Sequence, residues 1–221
     1  MMGVYKPMWL IKRNGPLLMG VLLERTRAND VYVPMFHVHC LLVPSSVLTL
    51  SMPYPVPRHQ VPTLRTEIKV SRHESDFAVV AESLKKLVPE IMQTNITLSR
   101  VLEMHREFLE QGQTRDPVTS RYCAGVFLDV VLLSWWGGYK DYALQCIREA
   151  TPIFESWGDL AICQPPWPKI VEDHLDHARM EATIAEEIVK HKLAHLPVYD
   201  LVANEPPKPN ITETYESINW D

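Results

Sequence analysis

The spacing of the hydrophobic residues changes near Glu67, and this change limits the folds that are open to the chain. Before Glu67 the apolar residues tend to alternate with polar ones, as in strands, and after it they recur every three or four residues, as in amphipathic helices. Strands first and helices later predict an α+β fold. In it, an N-terminal antiparallel β-meander packs against a C-terminal bundle of about five helices.

The chain is long enough, at 221 residues, to bury a sizeable core. We predict a single α+β domain over residues 1–221. Its strand-rich part covers 1–70, its helical part 71–196 and an extended tail 197–221. The strand-rich part by itself would leave one apolar face uncovered, which favours one domain over two.

The first half of the strand-rich part contains the best hairpin signal. Asn14-Gly15 tolerates positive φ angles and therefore predicts a type I′ turn, although Pro16 is able to shift the register. The prolines between 53 and 62 predict an extended connector, because proline lacks the amide donor of a sheet ladder. Four apolar runs predict the strands: Met8 to Arg13, Leu17 to Glu24, Val31 to Val43 and Val47 to Met52.

The first two helices have recognisable ends. Ser71 and Glu74 have the spacing of a capping box and predict the start of the first helix. Pro89 predicts its end, since proline cannot continue a helix without losing a hydrogen bond. A second helix is predicted around the apolar residues from Leu98 to Leu109.

The later helices differ in polarity. A third helix, from about Val118 to Trp136, is apolar nearly all round and is predicted to be central and buried, with Gly137-Gly138 ending it. A fourth follows from about Tyr139 to Trp157. After Pro166 a long charged helix is predicted to continue to about His195, with five residues on its buried side: Val171, Leu175, Ala178, Ala185 and Val189.

Charge is distributed unevenly along the chain. Up to Thr66 there are seven basic and two acidic residues, a balance of +5, and from Glu67 onward there are 15 basic and 25 acidic residues, a balance of −10. A basic strand-forming front joined to an acidic helical back predicts a bipolar surface, which influences the choice of partner. The net charge of −5 argues against nucleic-acid binding, because phosphate recognition needs surplus Lys and Arg.

The sequence also predicts where the protein is located in the cell and whether its cysteines are reduced. Its apolar runs are too short to span a bilayer, and the N-terminus has no basic region followed by an apolar one, so we predict a cytoplasmic protein without a membrane partner. The four cysteines are spread singly, with no C-x-x-C pair. This pattern indicates reduced thiols, mostly buried.

His37 and His39 are one candidate for metal-assisted chemistry. Their i, i+2 spacing on a predicted strand places both imidazoles on one face, but Cys40 points the other way and no third ligand is evident. Two ring nitrogens on the wetter face of a half-exposed sheet explain the pair more simply.

His174, His177 and Glu181 form a second candidate, at i, i+3 and i+7 along one helical stripe. The stripe has neither order of the zinc-protease motifs, and a solvated face is the simpler interpretation. We therefore predict no catalytic, cofactor-binding or metal-binding residue. A small metal-assisted hydrolase that uses one of the two histidine groups is the alternative.

The segment from Ser134 to Tyr142 is the densest in aromatic residues. Trp136 and Tyr139 lie beside flexible glycines, and tryptophan and tyrosine are common anchors of protein interfaces. We predict that both contact a partner protein with a basic surface. Four acidic residues of the following helical part are predicted to join them: Glu172, Asp173, Asp176 and Glu181.

These features resemble the immunity proteins of bacterial polymorphic and type VI secreted toxins. The resemblance covers the chain loosely, through the N-terminal meander, the Trp135-Trp136-Gly137-Gly138 and Trp157-Gly158 segments and the acidic helices. It implies a non-catalytic protein that binds and neutralises one cognate toxin, with a nuclease as one candidate. The basic front departs from the most acidic members of the group, so the partner's nuclease identity does not follow.

Overall fold

The architecture was obtained as a computed structural model of the whole chain. Statements about structure refer to the residues that it describes, which are 2–6, 8–26, 30–48, 52, 54–55, 57–58, 61–110, 117–156 and 167–206.

The chain divides into two compact units. Unit 1 consists of Met1–Leu41, Ser45–Ile96 and Ile188–Leu201. Unit 2 consists of Leu42–Pro44, Thr97–Glu187 and Val202–Asp221. Unit 1 carries the sheet and the first helix, and unit 2 carries most of the helical part, so the predicted α+β class is confirmed.

A seven-stranded mixed sheet forms most of unit 1. Four strands follow one another as an antiparallel meander: β1 (Gly3–Lys6), β2 (Trp9–Asn14), β3 (Leu17–Arg25) and β4 (Val31–Cys40). The last three were predicted, whereas β1 was not. The short strands β5 (Tyr54–Pro55) and β8 (Ile68–Lys69) pair with β4 and belong to this sheet. β6 (Pro57–Arg58) and β7 (Val61–Arg65) pair with each other, and β9 (Ile96–Thr97) belongs to another two-stranded sheet. Near the C-terminus are β10 (Val198–Tyr199), which pairs in parallel with β2, and β11 (Leu201–Val202).

The β2–β3 hairpin forms where it was predicted, but its turn is one residue later. Asn14 pairs with Leu17 in the ladder, so Gly15 and Pro16 are the two central turn residues. Gly15 has a φ of 54°, and proline holds φ near −65°. A positive φ followed by a negative one is the pattern of a type II′ turn, so the predicted type I′ turn is wrong. Pro16 is the reason, since type I′ needs positive φ at both positions.

The strand predicted from Val47 to Met52 does not form in its described part. Val47 lies in a bend and is 60% exposed, and the chain from Leu41 is a series of turns and bends. Residues 49–51 lie outside the described residues. Pro44 and two serines precede this stretch and favour turn geometry over a ladder.

Two buried polar side chains of β2 hold a neighbouring turn of unit 1. Lys12 is 1% exposed, and its Nζ donates hydrogen bonds to the carbonyls of Glu90, at 3.1 Å, and Gln93. Asn14 Nδ2 donates to the carbonyl of Thr94 at 2.9 Å. Burial lowers the pKa of Lys12. No pattern in the sequence predicts these contacts, because lysine is almost never fully buried.

The helices mostly begin and end where the sequence predicts. They are α1 (His73–Leu87), α2 (Leu98–Glu110), α3 (Pro117–Trp136), α4 (Lys140–Ser156), α5 (Trp167–Glu172) and α6 (His177–Lys190). Pro89 follows the end of α1 as predicted and opens a short 3₁₀ turn. The predicted capping box does not form, since Arg72 occupies the N-cap of α1 and a 3₁₀ turn precedes it.

The long helix predicted between Pro166 and His195 is two helices. α5 ends at Glu172, four residues form a turn, and α6 begins at His177. The interruption changes which residues face inward. Val171 is buried as predicted, but Ala178, Ala185 and Val189 are exposed, and the buried residues of α6 are Met180, Ile184 and Glu187.

Within the described residues, no helix has both the length and the apolar character that crossing a membrane would require. α3, the longest at 20 residues, contains Arg121 and the buried Asp129.

Candidate protein-binding surface

The junction of α3 and α4 positions the aromatic segment of unit 2. Gly138 has a φ of +87°, a conformation that costs little only for glycine, and its amide donates to the carbonyl of Trp135 at 3.1 Å. A Cβ on Gly137 would lie 2.0 Å from Leu98 Cδ2 of α2. Gly138 therefore ends α3, and Gly137 leaves room for Leu98 of α2. Tyr139 follows as the residue before α4.

Trp136 and Glu181, both predicted to contact a partner, are joined by a hydrogen bond. Trp136 Nε1–H donates to Glu181 Oε1 at 2.6 Å, although the two residues are 45 positions apart in the chain. Trp136 is half-buried and Glu181 is exposed. A buried or half-buried indole N–H usually finds an acceptor, and here the bond holds the ring against α6.

Asp176 caps the start of α6. Its Oδ1 accepts the backbone N–H of Arg179 at 2.9 Å, and its carbonyl accepts that of Met180 at 2.8 Å, which is the geometry of an N-cap residue. Arg179 Nη1 also donates to the carbonyl of Asp173 at 2.6 Å. The α5–α6 turn is therefore stabilised by its own polar groups, and the sequence signal for the break was the aspartate at the N-cap.

The four predicted acidic residues are all exposed, in a mixed charge environment. Glu172 ends α5, Asp173 and Asp176 lie in the turn, and Glu181 lies on α6. Lys169 and Arg179 are exposed in the same stretch, so four acidic and two basic residues lie between 169 and 181. The surface is acidic on balance, and Trp136 borders it through its bond to Glu181.

Tyr139 is half-buried and bonded within unit 2. Its hydroxyl donates to the carbonyl of Asn204 and accepts the N–H of the same residue at 2.6 Å. Asn204 was not among the predicted residues, because no sequence pattern near it predicts a contact 65 positions away in the chain.

The predicted stripe of His174, His177 and Glu181 does not lie along a single helix. His174 lies in the turn, half-buried, and its amide donates to Val171 O at 3.0 Å. His177 is the first residue of α6 and is exposed. The predicted i, i+3, i+7 relationship is wrong, since it required an uninterrupted helix.

His37 and His39 are buried, so their predicted place on a wet face of the sheet is wrong. They are 1% and 4% exposed, and β4 is buried on both faces from Tyr32 to Cys40. Burial, with a smaller contribution from the charge of His39, lowers the pKa of His37 to about 3. Neither ring nitrogen of His37 has a hydrogen-bond partner among the described residues, and the ring meets Trp9 edge to face at 5.3 Å.

Two further buried titratable groups lie in unit 2. The His105 ring is fully buried and donates from Nδ1 to Val101 O at 2.8 Å, and burial lowers its pKa to about 4 despite that bond. Burial also raises the pKa of Cys146 to about 12. A thiol with so high a pKa is protonated at neutral pH and is a poor nucleophile.

Within the part of the chain that the structure describes, no three His, Cys, Asp or Glu side chains come together in a way that could hold a metal ion. Comparisons with protein-family models, curated proteins and solved structures found no match. What the geometry shows is an indole held against a helix by a hydrogen bond to one exposed carboxylate.

Proposed function

We propose that this chain is a non-catalytic binding protein whose unit 2 docks on the basic surface of a partner protein. The surface, called here the α6 face, consists of Trp136, Glu172, Asp173, Asp176 and Glu181. In keeping with the resemblance to toxin-immunity proteins, the partner is a toxin that this contact neutralises, with a nuclease as one candidate.

One observation carries the proposal. The aromatic segment and the acidic segment were predicted separately, from distant parts of the sequence, and the hydrogen bond from Trp136 to Glu181 brings them together at 2.6 Å. A tryptophan held in place before binding loses little conformational freedom on association, which favours affinity.

Charge gives the α6 face its preference for a basic partner. Opposite potentials accelerate association and select among partners, and the effect weakens as salt screens exposed charges. Arg179 offsets part of the negative charge, but it also donates to the Asp173 carbonyl and so holds the turn in place.

The test uses charge reversal at positions that do not hold the fold. Asp176 is unsuitable, because lysine there would remove the α6 N-cap. We therefore choose Glu172→Lys with Asp173→Lys, whose carboxylates are exposed. Glu186→Lys is the control. It reverses one carboxylate instead of two, at an exposed position of α6 about 140° around the helix from Glu181.

Tagged wild type, the double variant and the control are used to capture proteins from the source cell. We expect one protein to be retained by the wild type and the control and largely lost by the double variant. With the purified pair, the double variant should bind about tenfold more weakly at low salt, with the difference shrinking at high salt. Equal retention by all three folded proteins would refute the proposed surface.

A further inference from the structure

The exposed segment Val202–Glu205, called here the C-terminal strap, is attached to α2 through Asn204. Asn204 Oδ1 accepts the backbone N–H of Ser99 at 3.2 Å and its hydroxyl at 3.0 Å. The Ser99 hydroxyl also lies within hydrogen-bond distance of the carbonyl of Glu205. The first N–H groups of a helix have no partner inside the helix, and Asn204 supplies one from outside.

The same residue attaches the strap to the start of α4. The Tyr139 hydroxyl donates to the Asn204 carbonyl and accepts the Asn204 N–H, so both main-chain groups of one residue are bonded to one side chain. The main chain of Tyr139 is fixed to α4, because its carbonyl accepts the N–H of Ala143 at 2.9 Å in the first turn of that helix.

Apart from the pairing of β11 with β9, the strap is open to solvent. Val202 is 42% exposed, and Ala203, Asn204 and Glu205 are exposed. Segments that bury little apolar surface open locally at a small fraction of the cost of global unfolding. Release of Asn204 would free the hydroxyls of Tyr139 and Ser99 together.

We propose that the C-terminal strap is an autoinhibitory contact, which must release Tyr139 before a protein partner can bind that tyrosine. The inference rests on the proposed function, because it concerns access to Tyr139, which follows Trp136 of the α6 face by three residues. It adds that the affinity for the partner is set in part by the equilibrium between an attached and a released strap.

The first measurement needs no partner. Asn204→Ala removes the acceptor for Ser99 and should favour release, whereas Asn204→Asp keeps an acceptor oxygen and should restore attachment. Glu205→Ala is the matched control, because Glu205 contacts Ser99 through its main chain alone. Tetranitromethane, which nitrates accessible tyrosines, measures the exposure of Tyr139 by peptide mass spectrometry.

We expect Asn204→Ala to raise the nitration of Tyr139 by about twofold to tenfold, with the other two variants near wild type. This range corresponds to a net loss of one hydrogen bond, because the Ser99 hydroxyl keeps the Glu205 carbonyl as an acceptor. Hydrogen exchange of the Ser99 amide should rise by a similar factor. Unchanged nitration in Asn204→Ala would overturn the strap as a releasable element.

The second measurement uses the protein captured by the α6 face. Asn204→Ala should bind it about twofold to tenfold more tightly than wild type, while Glu205→Ala should not differ. If nitration rises but affinity does not, the autoinhibitory role is wrong, while the charge-reversal result still decides the proposed function. If no protein is captured at all, the proposed function and the autoinhibitory role both fail, and a releasable strap is judged by nitration alone.

Discussion

Acidification should destabilise unit 2 through His105, and the size of the effect follows from its burial. The imidazole is fully buried, and its pKa is about 4 in the folded protein against an ordinary value of 6.5. The unfolded chain therefore takes up a proton first as the pH falls. The stability that this group contributes is complete above 6.5 and is lost progressively as the pH approaches 4.

The magnitude comes from the two pKa values. Between about pH 7.5 and about pH 5, protonation of the unfolded state alone should lower the free energy of unfolding by about 2 kcal/mol through this one residue. The whole shift, taken to the acid limit, corresponds to about 3 kcal/mol. Against a typical domain stability of about 5–15 kcal/mol, this is a measurable fraction.

The assay compares the urea unfolding of wild type and His105→Leu at the two pH values, with circular dichroism as the measured signal. Leucine fills the site without titrating, so the variant should lose about 2 kcal/mol less than wild type on acidification. Other titrating groups cancel in this difference. His177→Gln, which removes an exposed imidazole, is the control and should behave as wild type. Equal acid sensitivity of His105→Leu and wild type would refute the burial argument.

Two further predictions concern α3 and α4. Gly138→Ala should lower the free energy of unfolding by about 1–2 kcal/mol, because its φ of +87° is strained for any residue with a Cβ. Gly125→Ala should raise it by about 0.5–1 kcal/mol, because the added Cβ would meet open space in α3. Urea midpoints of the two variants measure this, and a shift in the same direction would contradict it. Cys146 should react with iodoacetamide at about pH 8 only after denaturation, because it is buried and its pKa is raised to about 12. Rapid labelling of its peptide in the folded protein would show that the burial is wrong.

Features governed by local chemistry could be predicted from the sequence. Pro89 follows the end of α1 and Gly137-Gly138 end α3 where predicted, because a missing amide and a positive φ act on the chain whatever surrounds them. Strands β2, β3 and β4 were predictable because runs of apolar residues bounded by turn residues are recognised within one strand. Where two local signals competed, as at Gly15-Pro16, the stronger geometric constraint decided the turn.

The candidate surface was predicted in part. The residues were named, but their arrangement was not, because an uninterrupted helix was assumed where Asp176 begins a new one. The periodicity of apolar residues did not reveal the break, and it therefore assigned Ala185 and Val189 to the buried side, whereas both are exposed. One interruption changes the phase of every later residue on a helix.

By itself, the sequence determined the order of the elements, the α+β class and most helix ends, since these depend on groups a few positions apart. Only the tertiary structure decided that Lys12 and His37 are buried, that Trp136 bonds to Glu181 and that Asn204 reaches Tyr139. Each of these depends on which distant segments meet, and on whether a polar group recovers there the hydrogen bonds that it loses to water.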